Sequence, residues 1–559
     1  MTRRMGWGIA SLLLTAHLLF SLHAARHLSP AWDEIVYPSA GVAQWQTRSI
    51  TRNREHPFLA KLISSFPLLP LRPARLEFSP TGNTQDDYRA GFSFTFHNRL
   101  NPKTLIFWSR VPAVVCSVLA GALLFGWMSA SWGVGGGLIS LLCYLATPIF
   151  LSRASLALLE APMYLFILLA LWCHSRWMEN REDRFLYASG ASTGLALLCK
   201  LSALPLVFTF LALQLLNRRQ TKTTPIYSPV IDLLKLLGST ALVVFLAYLP
   251  WSGAWEAFRA SFVNVFVLFN RPLPYYWHGQ TYKIAPAYLS WAAWLIKAPL
   301  CVIALGLWGA FARIQNPGQR AARQYFMIFA GACLIPAFFF GSAVSSVHFS
   351  PVYLAIAGLA AGVASRLQGL PSRAALGVLL VLAWVDVYRV HPNYLSYFNE
   401  MAGGPRQGYR WMEDSDQDWG QSLPALAHYW EKEGRPGLIL CYSGAGDPRA
   451  EGLVYQDLYS PALVSREYQG ELIAETSRPV YLAIATKVMQ SAPEGFAWPQ
   501  AHLQPKALVS NCFFIYDITR QPEAFRWMGT LYYVTQRGAR AQWAFDQAAR
   551  MDRMRPSPP

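Results

Sequence analysis

Apolar runs recur through the first 390 residues, at 7–25, 105–128, 135–151, 155–173, 185–199, 201–216, 231–251, 287–311, 325–341, 348–364 and 374–390. Runs of this kind predict bilayer-crossing helices, about 11 of them, although several fall short of the ~20 residues a span needs. Around Lys200 the pattern fits one long helix or two short ones. The run at 7–25 follows Arg3 and Arg4 and could pass for a signal peptide; its length, and the runs behind it, point to an uncleaved first span. Residues 26–103 interrupt the pattern, being too polar and too rich in Pro and Gly to span. They form a first large outer loop, with amphipathic patches at Val42–Gln46 and Phe58–Leu69 suited to short helices along the interface. Past His391 the pattern changes again. LILCYSG, VYLAIAT and NCFFIYDI read as buried strands, and Leu423–Lys432 and Glu523–Met551 as helices. The expected fold is a polytopic α-helical membrane protein over 1–390, followed by a soluble extracytoplasmic α/β domain over 391–559.

Charge fixes an orientation for this array. Arg176, Arg181 and Arg184, then Arg218, Arg219 and Lys222, then Arg313, Arg320 and Arg323, then Arg366 and Arg373 all fall in short loops. With the N-terminus inside and about 11 spans, every one of these loops is cytoplasmic. The same count puts residues 26–103, the turn near Arg153, the loop 252–285, the turn near His348 and everything after His391 outside. The chain is 53% hydrophobic and 14% charged, with a net charge of +17. A basic excess spread over loops between apolar runs is membrane orientation rather than a nucleic-acid surface, and the 21 Trp suit bilayer interfaces. Six of the eight cysteines lie in apolar segments without metal-ligand spacing; Cys441 and Cys512 lie in strand-like runs and can pair if their domain faces an oxidising compartment.

The polar groups that stand out share the outer face. Asp33 and Glu34 are followed by His56, Pro57 and Lys61 in AWDEIVYPSAGVAQWQTRSITRNREHPFLAKL. Glu160 and Lys200 interrupt apolar runs, where a charge needs a partner or a function. For Glu160 the plain partner is Arg153; Lys200 can meet an anionic phosphate, cap a helix, or face the cytoplasm. Arg271, Tyr275, Tyr276 and His278 form an aromatic and cationic loop that suits a sugar or diphosphate as well as a simple interfacial belt. Asp414, Asp416 and Asp418 invite a calcium reading, but the sixth position is Trp419 and the twelfth Ala425, so no EF-hand forms. We read them instead as a polar motif docking the soluble domain onto the outer face.

The pattern W-D-E, about 20 residues, then E-H-P-F-L-A-K-L resembles the first outer loop of GT-C glycosyltransferases related to the protein O-mannosyltransferases and the lipid A aminoarabinose transferase. YLSYFNEMAGGP at 394–405 and DSDQDWGQ at 414–421 also resemble stretches of bacterial members. The resemblance spans most of residues 1–430. It departs at Phe58, where a second Pro is usual, at Glu160, where Asp is usual, and at Val347 beside His348, where an Arg is usual. It implies that Asp33 activates an acceptor, that Glu160 assists by orienting acceptor or a divalent ion, and that Lys61, Lys200 and His56 face a donor phosphate. Glu34, Arg153, Tyr275, His278 and His348 complete the expected substrate-binding set.

Sugar transfer from a lipid phosphate needs a base for the acceptor proton and positive charge on the leaving phosphate. The expected activity is therefore an inverting transfer from a polyprenyl-phosphate donor to an extracytoplasmic acceptor at the cytoplasmic membrane, with a divalent cation optional. A transporter or flippase of a lipid-linked glycan is the rival; it requires polar groups through the middle of several spans, and these are scarce. A scaffold presenting the C-terminal domain is the third class, and it requires Asp33 to be dispensable.

Overall fold

The computed structural model describes residues 2–74, 84–220, 228–270, 275–283, 286–335, 345–460, 470 and 479–554. The chain divides into two compact units. The first comprises Met1–Arg26, Asp33–Tyr275 and Thr281–Gly404, and the second His27–Trp32, Tyr276–Gln280 and Pro405–Pro559.

The first unit is helical. It begins with α1 (Arg3–His27), and after a 3-10 turn at Trp32–Ile35 come α2 (Val36–Thr47), α3 (Leu59–Ser65) and α4 (Thr84–Phe96). The two amphipathic patches of the outer loop are thus α2 and α3. Next comes α5 (Pro102–Leu145), opened by Asn101, whose side chain accepts from the Lys103 N–H. Gly133 breaks it at φ 76°, so the runs 105–128 and 135–151 are two helices meeting at that residue. Then follow α6 (Pro148–Ala154), α7 (Glu160–Asn180), α8 (Asp183–Cys199), α9 (Pro205–Gln220), α10 (Ser228–Tyr248) and α11 (Ala254–Asn270). Lys200, with φ −158°, is extended between α8 and a short 3-10 turn before α9, which settles the region as two helices. Strands β1 (Tyr275–Trp277) and β2 (Gln280–Tyr282), of which Tyr276–Gln280 belong to the second unit, form a ribbon whose turn residues His278 and Gly279 both have positive φ. Helices α12 (Ala287–Ile296), α13 (Leu300–Ala310) and α14 (Pro317–Leu334) follow, then helices Pro351–Ala360 and Leu370–Val390.

Four described helices are long and apolar enough to cross a membrane: Arg3–His27, Pro102–Leu145, Val230–Tyr248 and Leu370–Val390. The pair α12 and α13, bent by 105°, makes up to a fifth. Of the about 11 runs expected to span, the one at 325–341 continues beyond the described residues. The runs at 201–216 and 348–364 form apolar helices too short to qualify, and α7 carries His174, Arg176 and Glu179 in its last turns. Small residues set the helix contacts. A Cβ on Gly190 of α8 would lie 1.9 Å from Ser239 Oγ and 2.4 Å from the Leu236 carbonyl of α10, and Thr240 Oγ1 donates to the Gly190 carbonyl at 2.9 Å. At the α12–α13 corner, Lys297 Nζ donates to the carbonyls of Leu395 (2.8 Å) and Tyr397 (2.5 Å) and lies 4.1 Å from the centre of the Phe398 ring. Asn399 Nδ2 donates to the carbonyls of Leu295 and Ala298, and its backbone N–H to that of Ile296. The YLSYFNEMAGGP stretch is therefore a clamp on a broken helix.

The second unit is an α/β layer. Strands β3 (Gly437–Cys441), β4 (Gln456–Tyr459), β5 (Val480–Ala485), β6 (Ala507–Val509) and β7 (Phe513–Asp517) form a sheet in the order β4-β3-β5-β7-β6. Strands β4, β3 and β5 are parallel, β7 runs antiparallel to β5, and β6 antiparallel to β7. Buried on both faces, β5 reads as a continuous apolar run. Helices Pro522–Val534 and Gly538–Met554 replace the single helix expected over 523–551, parted where Gln536 takes φ 60°. Cys441 and Cys512 are both buried, and neither is in a disulfide. Cys441 ends β3 and Cys512 precedes β7, with β5 between them. That places them about two strand spacings apart, beyond disulfide reach.

The DSDQDWGQ stretch is spent within this unit. Asp416, Gln417, Asp418 and Gln421 are all buried. Asp418 accepts from the Gly420 N–H (3.1 Å) and from Thr486 Oγ1 (3.2 Å), Thr486 also donates to Gln417 Oε1 (2.8 Å), and Gln417 Nε2 donates to the Asn511 carbonyl (2.6 Å). Burial pushes the Asp418 carboxyl up to about 6. The motif is a buried polar knot whose backbone also receives the segment ahead of Asp33: the Trp32 N–H donates to the Trp419 carbonyl at 3.1 Å and the Ser29 N–H to that of Gln421 at 3.0 Å.

Candidate active site

Asp33 lies in the 3-10 turn that leads into α2 and is half-buried. Tyr37, one helical turn on, donates from Oη to its Oδ2 at 2.7 Å, and Tyr88 of α4 donates to Oδ1 at 2.5 Å. Burial, and then the Asp33 charge, hold the Tyr37 phenol well above its ordinary range.

Glu34, the adjacent carboxylate, meets a different set of partners. Its side chain is fully buried and forms a fork with Arg110 of α5: Nε to Oε1 at 2.8 Å and Nη2 to Oε2 at 2.6 Å. Oε1 also accepts from the Ala157 N–H at 2.6 Å, and Arg110 Nη1 donates to the Ala25 carbonyl at 2.7 Å. The expected substrate contact at Glu34 is corrected to a structural ion pair, because its acceptor sites are directed at protein donors.

Lys61 is corrected likewise. Its buried ammonium donates to the Asn53 carbonyl (2.5 Å), Asn53 Oδ1 (3.2 Å) and the His56 carbonyl (2.9 Å), so its three donors hold the loop rather than a phosphate. Burial pulls its pKa down to about 7. His56 is half-buried, with its ring edge-on to Tyr37 at 5.9 Å. Burial first, and then Lys200, lower its pKa to about 3, so the imidazole is neutral at pH 7 and meets any phosphate as a neutral donor.

Glu160 opens α7 and pairs with Lys200 at 2.5 Å, both side chains nearly buried. The expected alternatives for these residues resolve into a bond between them. Glu160 Oε2 remains buried without a hydrogen-bond partner. Arg153, at the end of α6, and half-buried His348 lie within electrostatic reach of Glu160, as does Lys200, and His56 interacts with Lys200, Glu160 and His348. Tyr37 interacts with Glu160 as well as with Asp33, which joins the two carboxylates in one neighbourhood. Four groups able to carry positive charge or donate hydrogen bonds therefore surround one carboxylate, and Asp33 stands beside them. An anion fits the basic side, and a hydroxyl proton fits Asp33.

Tyr275 begins β1, and His278 belongs to the second unit, where its N–H donates to the Trp411 carbonyl (3.3 Å) and its ring is 4.5 Å from that of Trp411. Arg271 lies outside the described residues. Tyr37, Tyr88 and Arg110 escaped the sequence reading. Arg110 had a usable signal, a charge inside an apolar run, the same one that marked Glu160 and Lys200. Among the described residues no three His, Cys, Asp or Glu side chains are grouped as metal ligands.

In the first unit an apolar cavity of about 530 Å3 opens between α10 and α11, lined by Leu237, Val244, Tyr248, Trp255, Phe258 and Phe262 among others. Tyr248 also belongs to the cluster of Phe58, Leu62 and Trp251, which packs beneath the turn that carries His56.

Residues 102–251 match a family described as dolichyl-phosphate-mannose-protein mannosyltransferase. The matched stretch contains Arg153, Glu160 and Lys200 and supports the resemblance to GT-C glycosyltransferases of the protein O-mannosyltransferase group. No curated protein matches. Among solved structures, the chain is similar to ArnT from Cupriavidus metallidurans bound to undecaprenyl phosphate, at 12% identity and TM-score 0.44, covering 91% of this chain and 98% of that one. It is also similar to the Archaeoglobus fulgidus oligosaccharyltransferase in its apo form, at 12% identity and TM-score 0.44, covering 85% and 69%.

Proposed function

We propose that the chain is an inverting glycosyltransferase that moves a sugar from a polyprenyl-phosphate carrier to an acceptor on the outer face of the cytoplasmic membrane, with its N-terminus in the cytoplasm. In this reading residues 1–390 carry the catalysis and 391–559 form an extracytoplasmic domain. The observation that carries the proposal is the pairing of opposite chemistries around Tyr37: a carboxylate held by two phenols, and beside it Glu160 ringed by Lys200, Arg153, His56 and His348. Asp33 takes the proton of the acceptor hydroxyl as the acceptor oxygen attacks the anomeric carbon. The bond from that carbon to the phosphate oxygen breaks, and polyprenyl phosphate leaves with the bonding pair. Lys200 and Arg153 offset the charge that develops on the phosphate, while His56 and His348 donate hydrogen bonds. The apolar cavity near Tyr248 suits part of an isoprenoid tail, since its volume lies within the usual range for ligand pockets.

The test is turnover of a synthetic polyprenyl-phosphate sugar by purified wild type and Asp33→Asn, with donor binding measured in parallel. The expected result is a loss of about 10²-fold or more in turnover with binding retained. Equal turnover in both proteins would remove Asp33 from the role of base. Donor binding without any transfer by the wild type would favour a transporter of lipid-linked glycans.

A further inference from the structure

Asp33 is held from two directions by elements far apart in the chain. Tyr37 reaches Oδ2 from α2, four residues on; Tyr88 reaches Oδ1 from α4, 55 residues on. The position of Tyr88 is itself built by close contact. Three residues beyond it, Gly91 lets α4 lie against the backbone that follows Asp33, where a Cβ would come within 2.4 Å of the Ile35 carbonyl. At its other end α4 grips the segment leading to His56. Asp87 Oδ2 accepts from the Asn53 N–H at 2.8 Å, Asp87 faces Arg52 at 3.6 Å, and the Thr84 hydroxyl donates to Glu55. The His56 ring in turn rests edge-on against Tyr37.

We propose that Tyr37 and Tyr88 are positioning residues for Asp33, with α4 as the element that registers the base against the phosphate-facing side of the site. The inference rests on the reading of Asp33 as the base. One phenol on each oxygen fixes the plane of the carboxylate, and with it the direction from which an acceptor hydroxyl is met. The same donors favour the ionised form that a base requires.

The experiment uses the full chain in lipid nanodiscs, with polyprenyl-phosphate mannose as the first donor tried and polyprenyl phosphate alone as the binding probe. Tyr37→Phe, Tyr88→Phe, the double variant and Gly91→Ala are compared with wild type and Asp33→Asn. Each Phe variant should lower kcat by on the order of 10-fold, the double variant more, with donor KM and probe affinity within about 2-fold of wild type. The acid limb of the kcat profile should move to higher pH. Gly91→Ala should reproduce Tyr88→Phe and add little to it. Wild-type kcat and an unmoved acid limb in both Phe variants would overturn the inference, as would loss of kcat that tracks loss of heat resistance with the limb unmoved. If Asp33→Asn is inactive while the Phe variants are normal, only the positioning role fails. If Asp33→Asn turns over like wild type, the base reading fails and this inference with it.

Discussion

Replacing Glu34 by Ala separates two adjacent carboxylates that a sequence cannot tell apart. The substitution leaves the fully buried Arg110 guanidinium without its counter-ion and removes the acceptor for the Ala157 N–H. Breaking a buried ion pair from one side costs about 3–5 kcal/mol, and an orphaned buried donor about 1–3 kcal/mol. The two overlap, because relaxation around Arg110 serves both, so the expected loss is about 4 kcal/mol. Removing both charges with Glu34→Leu and Arg110→Met should recover more than half of it, since an apolar pair of similar volume carries no desolvation penalty. The assay is the fraction of detergent-solubilised protein that stays monodisperse after a graded heat challenge, with sugar transfer per folded molecule measured on the survivors. Glu34→Ala should lose heat resistance and retain transfer per survivor, while Asp33→Asn should do the reverse. A Glu34→Ala protein as heat-resistant as wild type, yet inactive, would refute the structural assignment.

Other outcomes follow from single contacts. Lys200→Met removes the hydrogen-bonded partner of Glu160 while Arg153 stays within electrostatic reach, and should cost about 1–3 kcal/mol of stability; adding Glu160→Gln should restore heat resistance but not transfer. The neutral His56 has a folded pKa near 3 against an ordinary 6.5, so between these values the unfolded chain binds a proton that the folded chain refuses. Its contribution is complete above pH 6.5 and is lost as pH falls toward 3, and the difference in melting between wild type and His56→Gln should shrink over that window. Cys441 and Cys512 should both react with a thiol reagent after denaturation without reductant, seen as two added masses on the peptides that contain them. Gly190→Leu should disrupt the α8–α10 contact and reduce the yield of folded protein, while Gly8→Leu, with open space at its Cβ, should not.

What could be read from the sequence depended on whether a signal was local. The strands β3, β5 and β7 were legible because burial on both faces leaves an unbroken apolar run. By contrast β4, with the sequence Gln456-Asp-Leu-Tyr, was not, because its Asp457 is buried against Arg537, 80 residues away. Glu160 and Lys200 stood out as charges among apolar neighbours, yet their bond spans 40 residues that no periodicity encodes. The divergence of Asp33 and Glu34 depends on a 3-10 turn whose direction is set by Arg110 and Tyr88, both distant in sequence. The partners of DSDQDWGQ were hidden for a related reason: Thr486 and Asn511 lie 69 and 94 residues beyond Gln417.

The broken pair α12 and α13 frees carbonyls that an unbroken helix would satisfy, and in hydrocarbon each would be costly. Asn399 supplies three donors to them, one from its backbone and two from its side-chain amide. Its carboxamide thus stands in for the missing helical turn, and the corner can be submerged below the lipid headgroups instead of being confined to the water surface. An aspartate at that position would set a carboxylate against the Leu295 and Ala298 carbonyls, so a one-atom change should expel the corner from the bilayer.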